Sequence, residues 1–432
     1  LYHFLADSVN HDLVIYRWAP HGSRKLEDLQ PLNSYGYEHK HLQPLMICHD
    51  QEPLKFDAWS TSEIENHISL QFQNSGRALF AQNHIIKHHA KYHLRSVAIH
   101  TVANMYDKTL LLHSEKHSSE LEKYCQAEFL PVYYWSHAVI ARDWYRYAQH
   151  DKVLHPANKK IQKLFLIYNR AWSGTREYRL YFSQQLAATN LLDHCQTSFS
   201  TYDQDQCYTN HVFVNPKFQI SDLLMHQKFQ QNNCQSTASA DYVSKDYQNT
   251  AIEIVLETLF DDYRWHLTEK TLRPIACGQP FILCATPGSL RYIREYGFET
   301  FDGLIDESYD TILDSKQRIE RVVYEMQRIQ QLPLQRQKQL IKELYAISRR
   351  NKKRFFSKKF QDFLFQEFIH NVRQAMQTMN SNKTGRTFTE CIDLYNSVPG
   401  YNEWCINNNL RSTAEYNNVI TQLNHVQRNI MQ

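Results

Sequence analysis

The sequence predicts an α/β protein of two units built on largely parallel sheets, followed by a helical region. Three observations predict it. Short β-branched or apolar runs alternate with amphipathic helical stretches through most of the chain. At 432 residues the chain is too long for one ordinary core, and domains of about 100–200 residues suggest two plus an appendage. A polar stretch, AQHDKVLHPANKK at 148–160, separates one series of strands from a second.

The first series reads as strands at DLVIYRW (12–18), PLMICHD (44–50), TLLLHSE (109–115) and PVYYWSHAVIA (131–141), with helical stretches between. The second begins at KLFLIYN (163–169), continues into a helix over 175–191, and adds strands at HVFVN (211–215), AIEIVLET (251–258) and PFILCAT (280–286). Helices are expected over 268–277 and 288–296. From about 314 the pattern turns helical and charged, and the last fifty residues are rich in Asn, Gln and Thr with little periodicity. The predicted divisions are 1–155, 156–313 and 314–432.

Composition excludes several classes. Apolar residues make up 42% and charged residues 22%, which rules out wholesale disorder. No run of 18 apolar residues exists and the first 30 residues lack signal-peptide regions, so a cytoplasmic protein without membrane insertion is expected. Nine cysteines, odd in number and without a C-x-x-C pair, read as reduced core residues. A net charge of +3 leaves the partner open.

In an open parallel sheet, ligands lie beyond the carboxyl ends of the strands, where helix starts converge on anions. Strand 163–169 ends at Asn169-Arg170, and the next helix opens with Ser173, Gly174, Thr175 and Arg176, a hydroxyl-rich start suited to a diphosphate. Strand 251–258 ends at Glu257-Thr258, followed by Thr268-Glu269-Lys270 at another helix start. Thr268 is suited to cap that helix. Lys270 is electrostatically misplaced there, because cations favour the other helix end, and an anionic ligand would remove the conflict. Glu257 or Glu269 would accept hydrogen bonds from ribose or sugar hydroxyls. Each carboxylate or arginine alone is equally well a helix-start acid or a surface ion pair; the argument rests on their joint placement.

The stretch AIEIVLETLFDDYRWHLTEKTLRPIACGQPFILCATPGSLRYIREYGFETF (251–301) resembles the second domain of GT-B glycosyltransferases encoded by tailed phages. More distantly, its ET…TEK…P…G.PFI pattern is similar to the donor-site signature of the α1,3-fucosyltransferases, and FLIYNRAWSGTREYRL (165–180) resembles the first strand-turn-helix of that domain. The resemblance implies a GT-B-like fold, two Rossmann-like domains facing a cleft with C-terminal helices, and a hexosyl- or pentosyltransferase. It implies that Glu257, Glu269 and Lys270 contact a nucleotide-sugar, with Arg170 and Arg176 near its diphosphate and Thr268 and Asn169 in support. A uridine rather than a guanosine nucleotide is expected, and no cofactor is required. No G-x-G-x-x-G or P-loop is present, consistent with phosphate binding by arginine and lysine.

Transfer to a hydroxyl needs a base, which the first unit should supply. Asp50 ranks first, Glu115 second and Glu52 third, because Asp50 and Glu115 directly terminate apolar strands. Asp50 is equally suited to a turn with Pro53, and Glu115 to capping a helix over 118–125. A third cluster offers His137, Arg142 and Asp143, while Trp135 and Trp144 read as core more readily than as stacking platforms. Asp203-Gln204-Asp205 has a D-x-D form, but such a triplet is expected by chance, and no zinc spacing exists, so no metal is expected.

Arg349, Arg350, Lys352, Lys353, Arg354, Lys358 and Lys359 form a basic run without an acid. A helix continuing through Phe360, Phe363, Leu364 and Phe368 would bury an aromatic face and expose these charges, either as a solvated face or toward phosphates. The first five are the DNA-contacting candidates. The phage resemblance implies double-stranded DNA as partner, with 5-hydroxymethylcytosine as acceptor, in the cytoplasm of the host cell. The alternatives are a surface or lipid-linked oligosaccharide acceptor, or a non-catalytic nucleotide- or DNA-binding protein of the same fold.

Overall fold

A computed structural model describes residues 14–18, 30–31, 45–49, 109–118, 121, 129–203, 206–220 and 241–381. Asp50 and Glu52, and everything beyond 381, lie outside the described residues. The chain divides into one unit of 1–136 and 366–432 and a second of 137–365, so the polar stretch at 148–160, where the sequence placed the boundary, lies inside the second unit.

The first unit contains a five-stranded sheet of β1 (Val14–Trp18), β2 (Gln30–Pro31), β3 (Leu45–His49), β4 (Thr109–His113) and β5 (Phe129–Tyr133). Its order is β2-β1-β3-β4-β5. All neighbours are parallel except β2, which runs antiparallel to β1. Leu110, Leu111 and Leu112 of β4 are all buried, the continuous apolar run of a strand covered on both faces. The sequence extended the last strand to 141, whereas the chain breaks after Tyr133 and forms α1 (Ser136–Trp144). Ala138, Ala141 and Tyr145 explain the difference: at i, i+3 and i+7 they are fully buried, a helical stripe that the β-branched pair Val139-Ile140 disguised.

The second unit is built on β6 (Lys163–Asn169), β7 (Cys195–Phe199), β10 (Thr250–Leu256) and β11 (Phe281–Cys284), with a small antiparallel pair, β8 (Tyr202–Asp203) and β9 (Gln206–Cys207). Helices α2 (Tyr178–Ala188), α3 (Ser244–Asn249), α4 (Glu269–Cys277) and α5 (Ser289–Glu295) intervene, and α6 (Ser315–Gln331), α7 (Leu334–Phe355) and α8 (Lys358–Ser381) follow. The sheet order is β11-β10-β6-β7, parallel throughout. Every residue of the central strand β10 is buried, including Glu253, which pairs with Arg273 at 2.7 Å and accepts from the Tyr247 hydroxyl at 2.7 Å.

One expectation fails here and one strand went unread, each for a physical reason. HVFVN (211–215) is not a strand: Val212 and Val214 are 80% and 83% exposed. A buried carboxylate takes two of its backbone N–H groups instead, with Val214 N and Asn215 N each donating to Glu177 at 2.8 Å. Conversely CQTSF forms β7, fully buried, although it has no apolar run; Gln196 satisfies its amide by donating to Asp246 at 2.6 Å.

Helix α8 buries Phe360, Leu364, Phe368, Val372 and Ala375, near-regular four-residue steps, while Phe363 is 42% exposed. Within the first unit, Phe368 packs on Tyr134 with ring centroids 4.9 Å apart, and the Asn371 amide donates to Tyr133 O at 2.9 Å.

Candidate functional site

Strand order makes one edge of the second sheet distinctive. The chain leaves β6 for β7 on one flank, then returns across β6 to place β10 on the other, so the direction of winding reverses between β6 and β10. At such a reversal the two following loops diverge and leave a crevice beyond the carboxyl ends. The loops here are 170–177 and 257–268.

They are tied together. Thr175 donates its hydroxyl to Thr258 O at 3.1 Å and Tyr178 donates to Glu257 O at 2.7 Å. The buried Arg179 guanidinium donates to Ala171 O at 2.5 Å, Leu256 O at 2.6 Å and Glu257 O at 3.0 Å. Asn169, 2% exposed, donates to Arg179 O and the Ser183 hydroxyl and so seats α2 beneath the edge. It acts on the architecture of the edge and does not reach its surface. Arg170 is exposed and Arg176 half-buried. Asp203 of the D-x-D triplet accepts from Trp172 N at 2.9 Å and Ser173 N at 2.7 Å, and burial, which opposes ionisation, is outweighed by these bonds and by Arg176. Its carboxylate is thus a fastening for the 170–177 loop. Asp205 lies outside the described residues, among which no cluster of His, Cys, Asp or Glu is arranged to hold a metal.

Glu257 is fully buried, and both its oxygens are engaged. One accepts from Thr268 N at 3.0 Å, Thr271 N at 3.2 Å and the Thr271 hydroxyl at 2.5 Å. The other accepts from the Thr268 hydroxyl at 2.7 Å and Thr258 N at 3.2 Å. A carboxylate held by the free N–H groups of a helix start satisfies donors that would otherwise be orphaned. Glu257 therefore fixes the first turn of α4 rather than presenting an acceptor to a sugar. Thr268 is the N-cap, as its position in the sequence suggested, with its hydroxyl accepting from Lys270 N at 3.3 Å.

The next two residues carry the charge. Lys270 Nζ lies 2.8 Å from Glu269, 3.3 Å from the Thr268 hydroxyl and 3.5 Å from the Thr258 hydroxyl. The misplaced cation is thus partly compensated by its own neighbour. Burial opposes ionisation of Glu269, but Lys270 and His137 outweigh it and hold the carboxyl well below the usual carboxylate range. His137, from α1, sits 3.7 Å from Glu269 and stacks edge-on against His266 at 5.1 Å. Burial pushes His137 down to about 4, opposed by Glu269 and reinforced by Lys270, so the imidazole is neutral at pH 7. Its Nδ1 is buried without a hydrogen-bond partner. With the Lys270 side chain 20% exposed against 9% for Glu269 and 2% for His137, Lys270 is the member of this cluster that reaches solvent.

In the first unit, Glu115 follows β4 and is 1% exposed, its N–H donating to His113 Nδ1 at 3.3 Å. It closes a buried polar strand end together with His113 and Ser114.

The basic run separates into two populations. Arg350 makes a bidentate pair with Glu299 at 2.6 Å on each arm, Lys352 donates to Ala148 O at 2.6 Å, and Arg354 donates to Tyr296 O at 2.7 Å. Arg349 and Lys353 are exposed. Lys358 pairs with Asp362 at 3.2 Å one turn on. Sequence reasoning found the edge through its strand ends, but it missed Arg179, Glu177 and the apposition of His137 to Glu269, which join residues far apart in the chain.

No family model, curated protein or solved structure matches this chain.

Proposed function

We propose that the chain is a glycosyltransferase that moves a sugar from a nucleotide-sugar, a uridine diphosphate sugar by preference, onto a hydroxyl, and that the acceptor is a 5-hydroxymethylpyrimidine in double-stranded DNA. The observation that carries this reading is Lys270: a part-exposed cation at a helix start, flanked by the Thr258 and Thr268 hydroxyls, at the winding reversal of a parallel sheet. In the transfer, the acceptor oxygen forms the new bond to the anomeric carbon while the bond from that carbon to the diphosphate oxygen breaks. The diphosphate leaves with the electron pair. Charge grows on it as the bond breaks, and Lys270, aided by Arg170 and Arg176, stabilises that charge. The acceptor proton passes to a carboxylate base. Glu269, held ionised, keeps Lys270 in place at 2.8 Å.

Incubating hydroxymethylated and plain DNA with a panel of nucleotide sugars, followed by mass analysis of the digested nucleosides, tests the reading. A hexose or pentose increment on the modified DNA alone supports it. No increment with any donor, alongside transfer to an oligosaccharide, would replace the acceptor; no transfer at all would remove the activity.

A further inference from the structure

A second concave feature lies within the second unit at the far end of α4. There the 3-10 turns Arg146–Gln149, Lys152–Leu154 and Pro156–Asn158 meet the last turns of α7 around a cleft of about 740 Å³. Its lining carries the cations Lys152, Arg349, Lys352 and Lys353, with His150 and His155 beside them and Asp151 as the acid. That acid is already used: Asp151 accepts from Val153 N at 2.8 Å and from the Ser244 hydroxyl. Lys352 is also used, because its bond to Ala148 O ties α7 to the wall. Its stem passes so close to Gly278 that a Cβ there would stand 3.1 Å from Lys352 Cδ, and Gly278 at φ +70° ends α4 in the left-handed region.

Lys152, Arg349 and Lys353 remain. All three are exposed, and among the described residues none pairs with an acid. Two lie one turn apart on α7 and the third faces them from a different element. Like charges gathered around one concavity repel, and the single carboxylate of the lining, Asp151, offsets only part of that repulsion.

The class of ligand follows from what the cleft lacks. Two helices end here, α4 at Gly278 and α7 at Phe356, and present carboxyl ends, the negative pole of the helix; at the start of α8 the lining residue Ser357 already accepts from Phe360 N at 3.1 Å. A single phosphate held tightly would need convergent, buried donors. Exposed cations on separate walls suit a repeating charge that gains affinity by releasing counterions. We propose that this cleft docks the phosphodiester backbone of duplex DNA. The choice of duplex DNA rests on the acceptor assigned above, whereas the docking of a phosphodiester chain rests on the cleft alone.

The test uses the full chain, a fluorescently labelled 12-base-pair duplex and no sugar donor, with anisotropy read across a salt series. Neutralising three phosphates gives a log–log salt slope of about −2.7, a loss of roughly 40-fold over a fourfold rise in salt. The triple variant Lys152→Glu, Arg349→Glu, Lys353→Glu is expected to lose at least ~30-fold in affinity at low salt, with its slope falling toward zero. The single variants Arg349→Gln and Lys353→Gln each lower the slope by about one. Lys342→Glu, an exposed charge on α7 outside the cleft lining, should change neither. Thermal melts confirm folding of each variant, and the glutamine variants carry the test if the triple variant unfolds. Unchanged affinity in the folded variants would overturn the proposal. So would displacement of the duplex by pyrophosphate at equal phosphate concentration, which would mark a small-anion site. DNA binding without sugar transfer leaves the cleft standing and removes the acceptor reading; transfer to DNA that the triple variant leaves intact does the reverse.

Discussion

At its amino end α4 carries a lysine held by its own neighbour Glu269, with buried Glu257 clamping the turn beneath, while its carboxyl end opens onto a cleft whose three outer cations pair with no acid among the described residues. The helix between them is nine residues long. The contrast separates two ways of handling an anion. Fixed hydroxyls and one oriented ammonium give a site with geometry, able to act on a charge that develops at one place. Exposed, unpaired cations give a field without fixed geometry, able to hold a chain of charges.

The largest effect expected at the amino end is on stability. Glu257→Ala strands three buried backbone N–H groups and two hydroxyls, and should lower the unfolding free energy by about 4 kcal/mol in urea denaturation. A change near zero would mean that water replaces the carboxylate and that the edge is open.

The acid response of the same cluster comes next. With His137 at about 4 in the folded chain and its ordinary 6.5 unfolded, the unfolded state binds the proton more tightly. Stability is therefore full above pH 6.5 and falls as the pH drops toward 4, by about 3 kcal/mol. His137→Phe should remove that slope while leaving the fall below the carboxylate range to Glu269. Denaturation at pH 7, 5.5 and 4 compares the two.

Lys270→Ala is expected to slow sugar transfer about 100-fold, equivalent to about 2.7 kcal/mol of transition-state stabilisation, with a melting temperature near that of the wild type. Loss of folding instead would make Lys270 a structural partner of Glu269. At the carboxyl end the effect on stability is smallest: Arg349→Gln and Lys353→Gln should each shift unfolding by less than about 0.5 kcal/mol, and a stabilisation would confirm mutual repulsion.

These contrasts were unevenly legible in the sequence. Strand ends could be found because KLFLIYN and AIEIVLET are apolar runs that stop at polar residues, and α4 announced itself through Thr268 before and Gly278 after. β7 was hidden because its buried positions are Gln, Thr and Ser, whose polarity is satisfied by partners such as Asp246, 50 positions away. HVFVN misled because its alternation is that of a strand, while Glu177 supplies the bonds a strand neighbour would. The basic run 349–359 looked uniform in sequence; Glu299, which neutralises Arg350, is 51 positions upstream, and no local pattern encodes that pairing. The role expected of Glu257 shifted for the same reason, since its saturation depends on the fold of the loop that returns to it. No transmembrane-length apolar helix occurs among the described residues.

The central claim is that the amino end of α4 holds a nucleoside diphosphate, and calorimetric titration of uridine diphosphate tests it most directly. Wild type should bind with a dissociation constant in the micromolar range, about −8 kcal/mol. Lys270→Ala should weaken binding at least ~10-fold, and the Lys152, Arg349, Lys353 charge-reversal variant should bind as the wild type does. Equal affinity in Lys270→Ala, or loss of binding in the cleft variant alone, would contradict the account.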